Sequence, residues 1–344
     1  MFSTKIVCAL FRPRTIFPNY TINMADFKGH QSKALTRMKQ LAPHIDFILE
    51  LRDARVPVSS KNDLLQKIVR DKGRLVLYTK KDQSNVTSSL MNRYNKMLHE
   101  DWKFIDCKKV SDVKNLIQYL REKYESMYPK PPLGLRLMVV GMPNVGKSTL
   151  VNALRNLGLK ESTGNLMKKR RHGVAQVGSH AGVTRNTSEI IKICECPDIY
   201  LYDTPGVLLP RVDKEWKMFS LSVAGIVSDV NQPDPVIMAD YILFVMNLTD
   251  SSGKAYKQFL DHPTNDVYEL LAGMASKNMN YRKWRGDNMK RPNYSGEAIQ
   301  FVQLVRSGKL GRWCFDIAAF NALKNINFES KEIADVPNWN SGML

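Results

Sequence analysis

The stretch Gly141-Met142-Pro143-Asn144-Val145-Gly146-Lys147-Ser148 constrains this chain more than any other. It fits G-x-x-x-x-G-K-[ST] and follows the apolar run Leu135 to Val140, so it reads as a loop between a strand and a helix that begins near Lys147. Glycines at these places let backbone N–H groups close around phosphate oxygens, while the helix behind them presents its positive end. Lys147 is the expected contact for β- and γ-phosphates and Ser148 for Mg²⁺; Asn144, Val145, Gly146 and Thr149 complete the expected nucleotide-contacting loop.

The flanking sequence supplies the rest of such a fold. Ile45 to Leu51, Arg74 to Tyr78 and Trp102 to Asp106 read as short buried strands, and Asn62 to Val69 and Asp112 to Tyr124 as helices. A polar helix is expected around Gln31 to Leu41. Ile190 to Cys194 and Ile199 to Tyr202 lie close enough to form an antiparallel pair. Strands alternating with helices predict an α/β fold, a mostly parallel sheet with helices on both faces. Lys214 to Leu248 reads as helical. After the turn-rich Asp250-Ser251-Ser252-Gly253, amphipathic helices over Asn265–Ala275 and Ser295–Arg306 predict a small all-helical domain, with Gly308 as a stop.

Asp203-Thr204-Pro205-Gly206 follows the Ile199–Tyr202 strand. There an Asp can hold Mg²⁺ through water, and the Gly206 N–H can meet a γ-phosphate. Between the two motifs, Thr184 of Gly182-Val183-Thr184 is placed to complete the Mg²⁺ shell. Many GTPases orient the attacking water with a Gln just after D-x-x-G; here that residue is Val207, which can neither donate nor accept a hydrogen bond.

Thr79-Lys80-Lys81-Asp82, after the Arg74–Tyr78 strand, has the spacing of the N-K-x-D guanine-reading element. Asp82 would face the N1–H and N2–H₂ of the base and Lys80 would pack on its plane, with Thr79 in the usual Asn position. Asp106 and Cys107, at the end of the next strand, are where a backbone N–H could contact the guanine oxygen. Both elements precede the phosphate loop, whereas in ordinary P-loop GTPases they follow it. A compact domain with adjacent termini tolerates circular permutation, and the order is read that way.

Charge points to a second polyanion. The chain has 344 residues and a formal net charge of +18, which favours nucleic acid over a membrane surface as partner. No apolar run reaches the roughly 20 residues that span a bilayer. Five cysteines are too few for a disulfide scaffold; Cys194-x-Cys196 lacks a second pair, so no zinc site is expected. Residues 1–23 carry Lys5, Arg12 and Arg14 and no acid, the composition of a mitochondrial transit peptide. Removing its three charges from eighteen leaves +15. Candidate RNA contacts are Lys168-Lys169-Arg170-Arg171-His172, beside the expected switch, and Tyr281-Arg282-Lys283-Trp284-Arg285 with Lys290-Arg291, where aromatics interleave with cations.

Taken together, Phe27-Lys28-Gly29-His30, Asp53-Ala54-Arg55-Val56-Pro57, TKKD, GMPNVGKST, GVT and DTPGV, in that order, resemble the YlqF/RbgA family of circularly permuted GTPases, in its fungal mitochondrial branch. The resemblance covers about Asp26 to Leu248 and implies a circularly permuted GTPase domain over 24–250 and a helical RNA-binding domain over 251–344. It implies His30 as the catalytic group that orients water, beside Lys147, and Asn144 as a K⁺ ligand next to Mg²⁺. It further implies large-ribosomal-subunit assembly in the mitochondrial matrix, with GTP or GDP, the subunit and its rRNA as partners, RNA rather than DNA. Peripheral contact with the matrix face of the inner membrane is also among the expected associations.

Two other readings stand beside this one. The chain would be a nucleotide-dependent RNA-binding module with incidental turnover if Val207 leaves hydrolysis slow. It would be a P-loop ATPase or small-molecule kinase if TKKD carries no base recognition.

Overall fold

A computed structural model of the chain describes residues 11–24, 29–68, 72–162, 190–208, 211–283 and 290–324. The chain divides into two compact units, one of Ile22–Gln232 with Arg312–Asp316, the other of Met1–Thr21, Pro233–Gly311 and Ile317–Leu344.

The first unit opens with helix α1 (Gly29–Leu41), followed by β1 (Phe47–Asp53), α2 (Asp63–Ile68), β2 (Gly73–Thr79), α3 (Ser88–Met97) and β3 (Trp102–Phe104). It continues through α4 (Val110–Glu125), β4 (Leu135–Gly141), α5 (Lys147–Ser162), β5 (Ile191–Glu195), β6 (Asp198–Asp203) and α6 (Glu215–Val223). The six strands lie in the order β3-β2-β1-β4-β6-β5. All pairs are parallel except β5 with β6, which is the antiparallel pair expected from sequence. β1 is buried along its whole length, as a central parallel strand covered on both faces must be.

On one face Ala34 and Met38 of α1 and Leu65 of α2 pack with Ile48, Met138, Val140 and Val207. Elsewhere in the unit α4 buries Val113, Leu116, Ile117 and Leu120, and α5 buries Leu150, Val151 and Leu154. α5 packs so closely on β5 that a Cβ on Gly158 would come within 2.4 Å of the Ile193 carbonyl oxygen. The polar helix α3, capped by Thr87 accepting from the Leu90 N–H, was not expected from sequence.

The second unit contains α7 (Pro235–Thr249), α8 (Val267–Asn278), a hairpin of β7 (Tyr281–Lys283) and β8 (Lys290–Pro292), α9 (Tyr294–Arg306) and α10 (Ile317–Lys324). Ala298, Phe301, Val302 and Val305 form the buried face of α9, as periodicity predicted, and Gly308 ends the helix region at φ 75°. The helical run expected over Lys214–Leu248 is instead two helices, α6 and α7. Gly225 at φ 74° ends the first, and Asp234 with Pro235 starts the second, so α7 begins a new element. The division between units accordingly falls at Gln232/Pro233 rather than at 250.

Residues expected within the leader are packed in this second unit. The Phe17 ring lies 5.2 Å from Tyr241 and 5.4 Å from Phe244. Arg14 makes a two-pronged pair with Asp240, which also accepts a hydrogen bond from the Tyr20 hydroxyl. The basic-aromatic tail expected to be helical forms the β7–β8 hairpin, with Trp284 and Arg285 outside the described residues. No helix among the described residues is long and apolar enough to cross a membrane.

Candidate nucleotide site

Register brings the motif residues to one edge of the sheet. Asp53 pairs with Thr79, Leu51 with Gly141, and Val139 with Asp203, so the carboxyl ends of β1, β2, β4 and β6 gather there. Ligands of open α/β sheets bind outside these carboxyl ends.

The phosphate loop is built from backbone that few side chains tolerate. Gly141 has φ 154° and Gly146 φ 100°, while Asn144 adopts the left-handed region at φ 55°. A Cβ on Gly141 would strike the Leu51 carbonyl oxygen at 2.5 Å. Lys147 is buried and donates from Nζ to the Met142 carbonyl at 2.6 Å. Burial lowers its ammonium to about 8, against the opposing pull of Asp203. Gly206 sits hard against the loop: a Cβ there would lie 2.6 Å from the Pro143 backbone and 2.9 Å from Lys147 Nζ.

Asp203 is buried, and neither carboxylate oxygen has a hydrogen-bond partner of good geometry among the described residues. Burial raises its carboxyl and Lys147 opposes the rise. A buried carboxylate left without donors costs free energy unless a cation meets it. Together with Ser148 on the first turn of α5, it is an oxygen-ligand set suited to Mg²⁺ carrying substrate phosphates.

The base-reading turn is tied to the phosphate loop from beneath. Thr79 Oγ1 donates to the Val145 carbonyl at 2.6 Å. Lys80, left-handed at φ 55°, donates from Nζ to Asp53 at 2.8 Å and to the Asn144 carbonyl at 2.6 Å. Burial pushes the Asp53 carboxyl up, but Arg55 and Lys80 outweigh that and hold it well below the usual carboxylate range. Arg55 in turn donates to Asp53 and to the Ala224 carbonyl, both at 2.8 Å, and Asn144 Nδ2 donates to the Gly225 carbonyl at 2.8 Å. Asp82 is exposed on the short Lys81–Gln83 turn. At the neighbouring strand end the Asp106 N–H donates to Asp112, and burial beside Asp106 pushes the Cys107 thiol up to about 12.

Val207 is fully buried in the apolar cluster with Ile48 of β1 and Met138 and Val140 of β4. Asn62 Nδ2 donates to the Val207 carbonyl at 2.7 Å, and the Leu208 N–H donates to Gln31 Oε1 at 2.9 Å. Neither Asn62 nor Gln31 was singled out from sequence. The Gln31 contact sets the first turn of α1, which carries His30, against the chain just after Gly206; the His30 side chain lies outside the described residues. Thr184 and Lys168 to His172 also lie outside them.

Comparison with known proteins agrees with this geometry. A family profile described as 50S ribosome-binding GTPase matches residues 136–278. The chain is 39% identical over 280 residues to "Mitochondrial GTPase 1" of Saccharomyces cerevisiae, covering 76% of this chain and 75% of the relative. It is 31% identical to "Mitochondrial ribosome-associated GTPase 1" of Xenopus tropicalis, over 83% of this chain and 92% of the relative. The fold is similar to GNP-bound YlqF from T. maritima, with a TM-score of 0.53 at 18% identity, covering 82% of this chain and 97% of that one.

Proposed function

The chain belongs to the mitochondrial GTPase 1 family, and from that premise we propose that it hydrolyses GTP to drive assembly of the mitochondrial large ribosomal subunit. The observation that carries the reading is the set at the sheet edge: buried Lys147 in the phosphate loop, buried Asp203 with no hydrogen-bond partner of good geometry among the described residues, and Lys80 joining the base-reading turn to that loop.

In this reading Asp82 pairs with the guanine edge, Lys80 flanks its plane, and the Asp106–Cys107 backbone meets its oxygen. The amides of Asn144 to Thr149 and Lys147 hold the phosphates, and the Gly206 N–H meets the γ-phosphate. Ser148, Thr184 and Asp203 would hold Mg²⁺, which would supply positive charge to offset that of the phosphates. His30 orients a water at the γ-phosphorus. The water oxygen bonds to phosphorus as the bond to the bridging β–γ oxygen breaks, releasing GDP and phosphate. Asn144 is the proposed K⁺ ligand, and exchange of K⁺ for Na⁺ tests it: unchanged stimulated turnover removes it from the mechanism.

The proposed second partner is large-subunit rRNA in the matrix, at or near the inner membrane. The register of the β7–β8 hairpin supports it, because Arg282 stands opposite Arg291 and Lys283 opposite Lys290. That register gathers four cationic residues in one short hairpin, a charge density that suits a polyanion. GTP favours binding to immature rRNA and hydrolysis releases the factor.

The buried Val207 favours the second reading, an RNA-binding module with incidental turnover, because it leaves intrinsic hydrolysis without a polar group at that position. Large-subunit stimulation of hydrolysis, lost in His30→Ala at unchanged GDP affinity, separates the two. Crosslinking to RNA inside mitochondria with GTP and GDP compared tests the assembly role; failure to enrich large-subunit rRNA overturns it.

A further inference from the structure

Asp316 is a buried carboxylate that the reaction does not use. It is 1% exposed, and it accepts from the N–H groups of Val58 and Ser59, both at 2.8 Å, and from the Ser59 hydroxyl at 2.6 Å. These donors and the Ser220 hydroxyl beside them are all neutral, so the carboxylate is held by hydrogen bonds rather than by a cation. Such a group is costly to bury unless its bonds are all made. Asp316 and Ser59 are 257 residues apart in sequence, so local folding does not explain the contact.

The segment it anchors runs along the outer side of the base-reading turn. The Trp313 N–H donates to the Gln83 carbonyl at 3.0 Å, one residue beyond Asp82. The Phe315 N–H donates to the Arg55 carbonyl at 2.8 Å, and the Phe315 carbonyl accepts from the Ser220 hydroxyl at 3.1 Å. The turn is fastened to the same loop by Ser84, whose hydroxyl donates to the Ala54 carbonyl at 2.6 Å. Trp313, Cys314 and Phe315 are buried.

The turn needs this support. It starts from Lys80 in the left-handed region, which costs a non-glycine residue about 1–3 kcal/mol and persists only where the surroundings over-determine it. Lys80 is gripped from below by Asp53 and Asn144. Nothing in that grip fixes the far end of the turn, where Asp82 projects. Trp313 and Ser84 supply the fixed points there.

We propose that Asp316 is a positioning residue for guanine recognition: by pinning residues 312–316 to the loop at Val58 and Ser59, it holds the Lys81–Gln83 turn in the shape that presents Asp82 to the base. The last strand of the nucleotide fold has long been passed when this segment is reached, yet the base site is incomplete without it. The inference rests on Asp82 as the base reader.

The test is the preference of the full chain for GDP over IDP, whose base lacks the 2-amino group that Asp82 would accept from. Competition with a fluorescent GDP gives both affinities. Asp316→Ala is expected to reduce the GDP:IDP preference by about fivefold or more, the equivalent of one weakened hydrogen bond at the base, and Ser59→Ala by about twofold. Asp316→Asn, whose side-chain oxygen still accepts, keeps most of the preference. A clip that only stabilises the fold would lower the melting temperature and leave the ratio unchanged, and that result overturns the proposal. If Asp316→Ala does not fold, Ser59→Ala decides alone. Asp82→Asn is the separate arm: a shift towards xanthosine diphosphate upholds the base site, and with it an unmoved ratio in the other variants sinks only the clip. No shift in Asp82→Asn sinks both.

Discussion

The Lys80 ammonium lies 2.6 Å from the carbonyl oxygen of Asn144, and both residues are left-handed at φ 55°. One side chain thereby joins the Thr79–Asp82 turn to the loop of Gly141–Ser148, and Asp53 neutralises it from below at 2.8 Å. Lys80→Met keeps the apolar stem and removes the link. A charge-assisted hydrogen bond contributes about 1.5–3 kcal/mol, so GDP affinity should fall by roughly tenfold or more. Titration of fluorescent GDP measures it; a loss under twofold would show that the link is idle.

Lys147 makes nucleotide affinity depend on pH. Burial lowers its ammonium to about 8 in the folded chain, below its value in the unfolded chain. Between those two values the unfolded chain holds the extra proton, so stability without nucleotide rises with pH across that window. A bound phosphate favours the charged form, and binding therefore takes up a proton above about pH 8. GDP affinity should be level below about pH 8 and fall above it, by at most about tenfold per pH unit. Calorimetry in buffers of different ionisation enthalpy counts the proton. Lys147→Arg, charged throughout, should lose the bend.

Val207→Gln restores the residue that many GTPases use and should bring no gain in turnover. The position is fully buried among Ala34, Met38, Ile48 and Val140, where an amide finds apolar neighbours. The expected effect is a loss of about 1–3 kcal/mol of stability, read as a lower melting temperature. A rise in intrinsic hydrolysis at unchanged stability would contradict this placement.

Arg14 and Phe17 belong to the fold of the helical unit. Phe17→Ala removes a buried ring packed on Tyr241 and Phe244, at a cost of about 3–5 kcal/mol. Arg14→Ala leaves buried Asp240 without its guanidinium, and both variants should melt earlier than the parent chain. For the same reason the amino-terminal sequence of the protein isolated from mitochondria should begin ahead of Arg12.

Arg291→Glu replaces a cation that stands opposite Arg282 in the strand register with an anion. RNA affinity should fall. Each lost phosphate contact lowers the dependence of log affinity on log salt by about one. Filter binding across a salt series reads both, and an unchanged slope would place the RNA elsewhere.

The phosphate loop was legible from sequence because Gly141 and Gly146 take backbone angles that favour glycine, while Lys147 brings its charge to the first turn of the helix behind them. The strands were legible as short apolar runs, down to the antiparallel β5–β6 pair. Helix α3 was missed because its sequence is polar and its start depends on one Thr87 cap. α6 and α7 merged because both are apolar; the break is set by Gly225 and Pro235 rather than by a change in hydropathy. Gln31, Asn62 and Asp316 were illegible as partners of the site for a different reason. Each acts across strands or loops distant in the chain, and no spacing rule links Asp316 to Ser59 or Gln31 to Leu208.

β4 is flanked by β1 on one side and β6 on the other, and it follows the whole base-reading half in sequence. A chain that folds from its amino end therefore completes β3, β2 and β1 first, with the inner edge of β1 unpaired and prone to stray strand pairing. Lys80 has no Asn144 carbonyl to reach until β4 and its loop arrive. The ordering of motifs thus sets a sequence of events in time, in which the turn at Lys80 is made early and meets the phosphate loop only when the central strand closes the gap.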